Sequence, residues 1–174
     1  TLVGPERNDY AALAVSLILE EAWADTVLVD GALNRITQVA AFPGARFLFS
    51  LRVGPQDLPR QVASIRLLET LLGLPVALPG EDLLDLEGPL TAAVVKAFPE
   101  SVEAVSVEDF TKVFLDLASL KAFLRKRTLK LRRPIESLGY VVVLRGLSRA
   151  AFLEALGPGD LESRIAFNPY EVVA

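Results

Sequence analysis

The segment of this sequence best suited to chemistry is a predicted loop that contains Asp30, Gly31, Asn34 and Arg35. It follows Thr26–Val29, an apolar run that is typical of a strand covered on both faces. The loop after such a strand would contain a carboxylate, a flexible glycine, an amide and a guanidinium close together. Asp30 and Arg35 could orient a charged ligand, or they could pair with each other and stabilise their own turn.

A second predicted loop carries Arg7. Residues Thr1–Val3 favour a short strand, and the sequence predicts a helix over Tyr10–Trp23 with Asp9 as its N-cap. If the first two strands are neighbours in a sheet, Arg7 lies beside the loop of Asp30. The sequence therefore predicts a loop region for a ligand or partner, made of Arg7, Asp30, Gly31, Asn34 and Arg35.

The sequence contains no His and no Cys. These absences exclude imidazole acid–base catalysis, thiolate nucleophiles and zinc sites built from these residues. The phosphate-binding patterns GxxxxGKS/T and GxGxxG are also missing, so ATP hydrolysis by this chain alone is not expected. We therefore predict no catalytic residue, metal or cofactor, although carboxylate, lysine, tyrosine and hydroxyl chemistry leaves enzymatic activity open.

The composition is that of a packed globular protein. The chain has 174 residues, of which 52% are hydrophobic, and this length predicts a single domain over residues 1–174. A net charge of −4 argues against a nucleic-acid partner. The sequence has no run of apolar residues long enough for a membrane span and no signal-peptide pattern, so we expect no membrane partner and a cytoplasmic location. An excess of Arg over Lys hints at a thermophile, and a homo-oligomer is left open.

Apolar runs alternate with helical patterns along the chain, and no internal repeat is visible. The runs that predict strands are Phe47–Leu51, Val102–Val107, Lys112–Leu115, Thr128–Arg132, Tyr140–Leu144 and Arg164–Pro169. The helical patterns are Asp57–Leu72, Leu90–Phe98, Ala118–Lys126 and Ala150–Leu156. Because parallel neighbours need crossover connections, we predict a Rossmann-like α/β fold, a mainly parallel sheet with helices on both faces.

In such a fold, ligands bind at the carboxyl ends of the strands. Besides the residues already named, this rule makes candidates of Glu6, Asn8, Arg52, Asp116, Arg145 and Asn168. The basic run Arg125–Arg133 invites a nucleic-acid interpretation, but no aromatic side chain interrupts its charges to stack on bases. We interpret this run as a solvated helix end joined to an edge strand whose cations discourage pairing with other strands.

Five segments together resemble a known family. They are VGPERND, TVLVDGALNR, SLRVGPQDLPRQVASIRLLETLLGLP, VEDFTKVF and IAFNPYEVV, of which DGALNR is the most specific. The chain is similar in these segments to proteins encoded beside adenosylcobalamin-dependent lysine 5,6-aminomutase and described as a small subunit of its reactivating factor. It departs from that family at Asn34, at Phe42-Pro43-Gly44 and at Ser50-Leu51-Arg52. The resemblance is partial, since the family has a further N-terminal region, and we expect a fragment or a trimmed relative.

The resemblance implies a function in lysine metabolism. It implies a non-catalytic accessory or assembly subunit that acts with a separate MutS-like ATPase to reactivate the aminomutase, whose damaged cobalamin must be exchanged. Two alternatives come from the residues themselves. One is a small-molecule enzyme or sensor that binds an anionic metabolite at the carboxyl edge of the sheet, with Arg7, Asp30, Asn34 and Arg35 around it. The other is a structural domain of a larger protein.

Overall fold

The computed structural model describes residues 7–30, 36–42 and 44–169 of the chain. Internal contacts divide the chain into two compact units, Thr1–Ala45 and Arg46–Ala174. The single domain expected over residues 1–174 therefore stays a prediction. Across the described ranges, no helix has the length and apolar character needed to cross a membrane.

The described part of the first unit consists of helix α1 (Asn8–Glu20), a 3-10 helix (Ile36–Ala41) that contacts α1, and irregular chain between them. The predicted helix is confirmed, but the cap assigned to Asp9 is wrong. Arg7 occupies the N-cap position, and its side chain makes no capping hydrogen bond. Asp9 instead lies in the first helical turn, where the positive end of the helix dipole favours a carboxylate.

The predicted strand Thr26–Val29 is a second correction, because these residues do not form a strand. Leu28 is 93% exposed and Val29 is more than half exposed, so the run is not covered on its faces. An apolar run becomes a strand only when a neighbouring strand satisfies its backbone groups, and no described residue pairs with it. The predicted strand Thr1–Val3 lies outside the described residues.

The second unit contains eight strands and four α-helices among its described residues. In chain order they are β1 (Arg46–Val53), α2 (Leu58–Leu72), β2 (Leu84–Asp85), β3 (Leu90–Thr91), α3 (Ala92–Ala97), β4 (Ala104–Val107), β5 (Val113–Phe114), α4 (Leu117–Leu124), β6 (Thr128–Leu131), β7 (Glu136–Leu144), α5 (Arg149–Leu156) and β8 (Ile165–Phe167). Short 3-10 helices also occur at Phe110–Lys112 and Asp160–Arg164. Every strand pairing is parallel, which confirms the predicted α/β class with parallel strands.

These strands are divided among three sheets rather than joined in one. The first sheet has the order β1-β7-β8, the second has the order β2-β4-β6, and the third pairs β3 with β5. In the first sheet, burial alternates along β1, because Phe47, Leu51 and Val53 are buried while Arg52 is exposed. Such alternation places one face of the strand in the core and the other towards solvent.

Helices α2 and α5 pack against each other and cover the buried side of the first sheet. The inner face of α2 is formed by Val62, Ile65, Leu68 and Leu71, all of which are buried. Phe152 of α5 is fully buried and meets Phe167 of β8 edge-on, with their ring centroids 5.9 Å apart. These contacts hold α2, which follows β1, and α5, which follows β7, against the same face of the first sheet.

The second and third sheets arise from a repeated unit. The order strand, strand, helix occurs as β2-β3-α3 and again as β4-β5-α4, and β6 begins a third round. Leu84 is paired with Val105, and Val105 is paired with Leu129, so each round adds one parallel strand to the second sheet. A single round cannot cover its own apolar residues, and stacking buries Val105 and Leu129 almost completely.

Candidate functional site

Arg7 is held within its own helical turn. Its Nε donates to Asp9 Oδ1 at 3.1 Å, its Nη2 lies 2.6 Å from Asp9 Oδ2, and its guanidinium stands 5.0 Å from the centre of the Tyr10 ring. The hydrogen bond from Arg7 lowers the pKa of the Asp9 carboxyl below its ordinary value. These contacts indicate that Arg7 stabilises the start of α1.

The remainder of the predicted loop lies largely beyond what the structure describes. Asp30 is exposed and belongs to no helix or strand. Gly31, Asn34 and Arg35 lie outside the described residues. The network expected between Asp30 and Arg35 therefore stays a prediction.

Three other sequence candidates do converge, at the carboxyl edge of the first sheet. Val53 is paired with Leu144, which brings Arg52 and Arg145 to the same end of neighbouring strands. The backbone N–H of Arg145 donates to the carbonyl of Val53 at 2.9 Å. Asn168 follows β8 at the same edge, and its N–H donates to the carbonyl of a β7 residue, Val142, at 2.9 Å.

Asp116 does not join this group. Its carboxylate caps α4 and accepts the N–H of Ser119 at 2.7 Å. That backbone hydrogen bond lowers the pKa of Asp116. We therefore assign Asp116 a structural role at the start of the helix.

Arg149, which the sequence reasoning did not single out, lies beside the end of β8. It is the first residue of α5, directly after the cap formed by Ser148, whose Oγ accepts the N–H of Ala151 at 3.1 Å. The Arg149 guanidinium stands 5.1 Å from the centre of the Phe167 ring. The signal was available in the sequence as a strand followed by Arg-Gly-Leu-Ser-Arg, a pattern that turns directly into a helix.

A buried carboxylate joins the carboxyl ends of β4 and β6. Asp109 has no exposed surface, and its Oδ1 accepts the N–H of Thr111 at 2.9 Å and the Thr111 hydroxyl at 2.6 Å. Its Oδ2 lies 2.5 Å from Nη2 of Arg133. Burial by itself would raise the pKa of Asp109, but the hydrogen bonds from Thr111 and Arg133 outweigh it and hold this pKa below its ordinary value.

Side chains of the basic run Arg125–Arg133 make more contacts with the rest of the chain than the predicted solvated helix end implies. Arg127 donates to the carbonyls of Val102 at 2.8 Å and Pro99 at 3.2 Å, and Lys130 is paired with Glu81. Hydrogen bonding to Lys130 lowers the pKa of Glu81. Several of these cations therefore tie neighbouring segments of the chain together. β6 is the last strand in the order of the second sheet, but its outer side is not fully open, because Leu131 forms a parallel bridge with Val76. The edge strand predicted from the sequence is therefore only partly correct.

Arg132 continues this pattern at the end of β6. Its Nη2 donates to the carbonyl of Leu86 at 3.1 Å, and its Nη1 donates to the Ser106 hydroxyl at 3.0 Å. Asp85 accepts a hydrogen bond from the same hydroxyl and lies 3.3 Å from Arg132 Nη1. The Ser106 hydrogen bond is the main cause that lowers the pKa of Asp85. This row of polar side chains links all three strands of the second sheet.

A third network connects α2 to the first sheet. The Tyr140 hydroxyl donates to Glu69 Oε1 at 2.5 Å. Arg164 Nη1 donates to the same carboxylate at 3.0 Å and 2.8 Å. Burial of Tyr140 is the largest cause that raises its pKa, and the hydrogen bond to Glu69 raises it further.

Because the pKa of Tyr140 is raised in the folded chain, the free energy of unfolding varies with pH in the alkaline range. Folded Tyr140 keeps its proton above pH 10, the ordinary tyrosine pKa, whereas the unfolded chain releases it. The stabilisation is therefore complete below pH 10 and is lost progressively above it. In Tyr140→Phe, the free energy of unfolding should fall less steeply above pH 10 than in the wild type. Urea titrations at several alkaline pH values measure how the free energy of unfolding changes with pH. Equal slopes in the variant and the wild type would contradict the raised pKa of Tyr140.

No protein-family model matches this chain, and neither does any curated protein or solved structure. The resemblance to the reactivating-factor family therefore rests on the sequence segments alone. Within the described ranges, no group of three or more acidic side chains is arranged to hold a metal ion. Each described carboxyl group with a shifted pKa has that pKa lowered by a helix cap or a cationic or hydroxyl partner.

Proposed function

We propose that this chain is a non-catalytic accessory or assembly subunit that works by binding a larger protein. The observation that carries the proposal is the apolar side of α1. Tyr10, Leu13 and Leu17 recur at spacings of three and four residues, which places them along one side of the helix, and each is about half exposed. Trp23, just beyond the helix, is 75% exposed. Clustered apolar and aromatic side chains of this kind are typical of protein-binding surfaces.

The charges around α1 indicate the chemistry of its partner. Glu20, Glu21 and Asp25 are exposed near the end of the helix, whereas the one cation among the described residues of the first unit, Arg7, is paired with Asp9. The complementary surface would be apolar at its centre and basic at its rim. By resemblance, that surface belongs to a MutS-like ATPase subunit, and the client of the assembly is the adenosylcobalamin-dependent lysine aminomutase.

The carboxylates of the chain support a binding role over acid–base catalysis. A general acid at neutral pH needs a carboxyl group with a raised pKa, which keeps its proton available for transfer. Asp85, Asp109 and Asp116 show the opposite shift, because hydrogen bonds stabilise their charged forms. These are the properties of carboxylates that hold a structure together.

A binding experiment with two matched double variants tests this proposal. Leu13→Lys combined with Leu17→Lys removes the apolar side of α1 and adds two positive charges. Affinity for the co-encoded MutS-like ATPase should fall by at least about tenfold, the equivalent of roughly 1.4 kcal/mol. The control combines Asn8→Lys with Ala12→Lys, which adds the same charge at the same four-residue spacing on the opposite side of α1. We expect the control to bind like the wild type.

Calorimetry or a pull-down with ATP, with ADP and without nucleotide would provide the measurement, and circular dichroism would verify that both variants keep their helices. If the wild-type chain forms no complex in any of the three states, the proposed partner is wrong. Equal loss of binding in both double variants would show that charge, rather than the apolar side of α1, controls association.

A further inference from the structure

We propose that two copies of this chain form a dimer in which α1 of each copy packs on the first sheet of the other. The contact uses the side of that sheet opposite α2 and α5, which we call the open face. In the dimer, the apolar side of α1 is covered until the partner protein displaces the second copy. This regulatory consequence rests on the proposed function, whereas the dimer itself does not.

The strand register defines the residues of the open face. Burial alternates along β1, so Leu48, Ser50 and Arg52 point away from the buried side, and all three are exposed. Ser50 is paired with Val141, and Val141 is paired with Ala166, which is also exposed. Paired residues of neighbouring strands point to the same side of a sheet. The open face is therefore formed by small and apolar side chains, with Leu48 56% exposed and Arg52 at the carboxyl end.

The size and composition of the open face suit one covering helix. Parallel sheets are normally covered on both faces, and the run Tyr140–Leu144 is apolar at every position, which is typical of such a strand. Neighbouring strands are about 4.8 Å apart, so the face spans about 10 Å from β1 to β8. That width matches the diameter of a single α-helix.

Helix α1 has the apolar side that such a face requires. None of its 13 residues is fully buried, whereas α2, α4 and α5 each bury apolar side chains. Tyr10, Leu13 and Leu17 of α1 stay about half exposed in the single chain, as does Leu48 of the open face. A second copy supplies the missing cover for both surfaces. The exchange is reciprocal, so it closes as a twofold dimer with two equal contacts.

Charge complementarity gives the contact a direction. Arg52 is exposed and takes part in no ion pair among the residues that the structure describes. Glu20 and Glu21 are exposed at the end of α1, where the helix dipole is also negative. We therefore expect α1 to lie parallel to the strands of the second copy, with Glu20 and Glu21 near Arg52.

Analytical ultracentrifugation of the full chain over a range of concentrations would test the dimer. Trp23, the single tryptophan of the sequence, lies just beyond α1 and reports the contact by fluorescence. We expect a dimer that dissociates on dilution, with the Trp23 emission moving to longer wavelength as the side chain becomes exposed to water. Leu48→Lys combined with Ala166→Lys should raise the dissociation constant of the dimer by at least about tenfold. The control, Ala118→Lys with Ala122→Lys, adds the same charge at exposed positions of α4 and should dimerise like the wild type.

A mixing experiment tests which surfaces meet. Leu13→Lys combined with Leu17→Lys removes the apolar side of α1, whereas Leu48→Lys combined with Ala166→Lys removes the open face. Each double variant alone should be monomeric, and a mixture of the two should form a heterodimer through the one intact pair of surfaces. Arg52→Glu should weaken the wild-type dimer by about threefold to tenfold, because it places like charges opposite Glu20 and Glu21.

Three outcomes would overturn the proposal. The first is a monomer at every concentration, and the second is an equal loss of dimer in the open-face variant and its α4 control. The third is a mixture of the two double variants that stays monomeric while circular dichroism shows both to be folded. The partner assay separates this proposal from the proposed function. A dimer that does not bind the ATPase contradicts only the function, and a monomer that binds it contradicts only the dimer.

Discussion

Gly139→Ala should be among the most destabilising single substitutions in the first sheet. Gly139 has φ +126°, a conformation that is costly for any residue with a Cβ. An added Cβ would also come closer to the backbone oxygen of Arg164 than any ordinary van der Waals contact allows. Since that oxygen belongs to the backbone just before β8, relief requires the sheet itself to move. Backbone strain and overpacking together should lower the free energy of unfolding by about 2–5 kcal/mol.

Gly80→Ala is the matched control for this substitution. Gly80 also has a positive φ, +84°, but a Cβ there would meet nothing within 4 Å. This variant therefore carries the backbone strain without the collision and should lose only about 1 kcal/mol. Urea unfolding of both variants measures the difference. If the two lose the same free energy, the close approach to Arg164 contributes nothing to the requirement for glycine at position 139.

Much of the second unit could be predicted because its signals are local. The predicted helix Asp57–Leu72 agrees with α2 within one residue, since Pro59 suits the first turn and Gly73 follows the end. The apolar run Tyr140–Leu144 is the buried part of β7. For α2, a single segment contains the residues that start, bury and end the element, and for β7 it contains the buried residues.

Other features depend on contacts that no local pattern contains. Thr26–Val29 has the composition of a buried strand, but a strand also needs a neighbour, and the neighbour is decided by the fold. The repeat of strand, strand and helix has little repetition in its letters, because each round needs only apolar residues at the paired positions. Leu90–Phe98 was predicted as a helix, and its first two residues form β3 by pairing with β5.

The residues discussed as site candidates also divide into those that a local sequence pattern identifies and those that only the folded structure brings together. Arg52, Arg145 and Asn168 could be found because each follows or ends an apolar run, and the carboxyl ends of parallel strands meet at one edge. Arg149 was missed because it is the first residue of a helix instead of the residue that follows a strand. The pairing of Tyr140 with Glu69 joins distant parts of the chain, so only the packing of α2 on the sheet could show it.

The second large effect is expected at Asp109, which holds together the carboxyl ends of β4 and β6. Asp109→Ala leaves the N–H and hydroxyl of Thr111 without their carboxylate and removes an ion pair with Arg133. Arg133 is about one-third exposed and also faces Glu108, so the loss should come mainly from the unsatisfied Thr111 donors and amount to about 1–3 kcal/mol. The control is Glu108→Ala, because Glu108 is more exposed and lies 3.3 Å from the same Arg133. Exposed pairs contribute about 0–1 kcal/mol, so the control should unfold almost like the wild type.

The lowered pKa of Asp109 gives this prediction a pH dependence of definite sign. The folded chain holds the carboxylate in its charged form at pH values where the unfolded chain already binds a proton. The stabilisation by Asp109 is therefore fully present well above 3.8, the ordinary pKa of aspartate, and it is lost as the pH falls through the lower folded value. Asp109→Asn has no carboxyl group to titrate, so its free energy of unfolding should fall less steeply in this acidic range. Chemical unfolding from neutral to acidic pH compares the two slopes, and parallel slopes would show that Asp109 does not stabilise the fold through its charge.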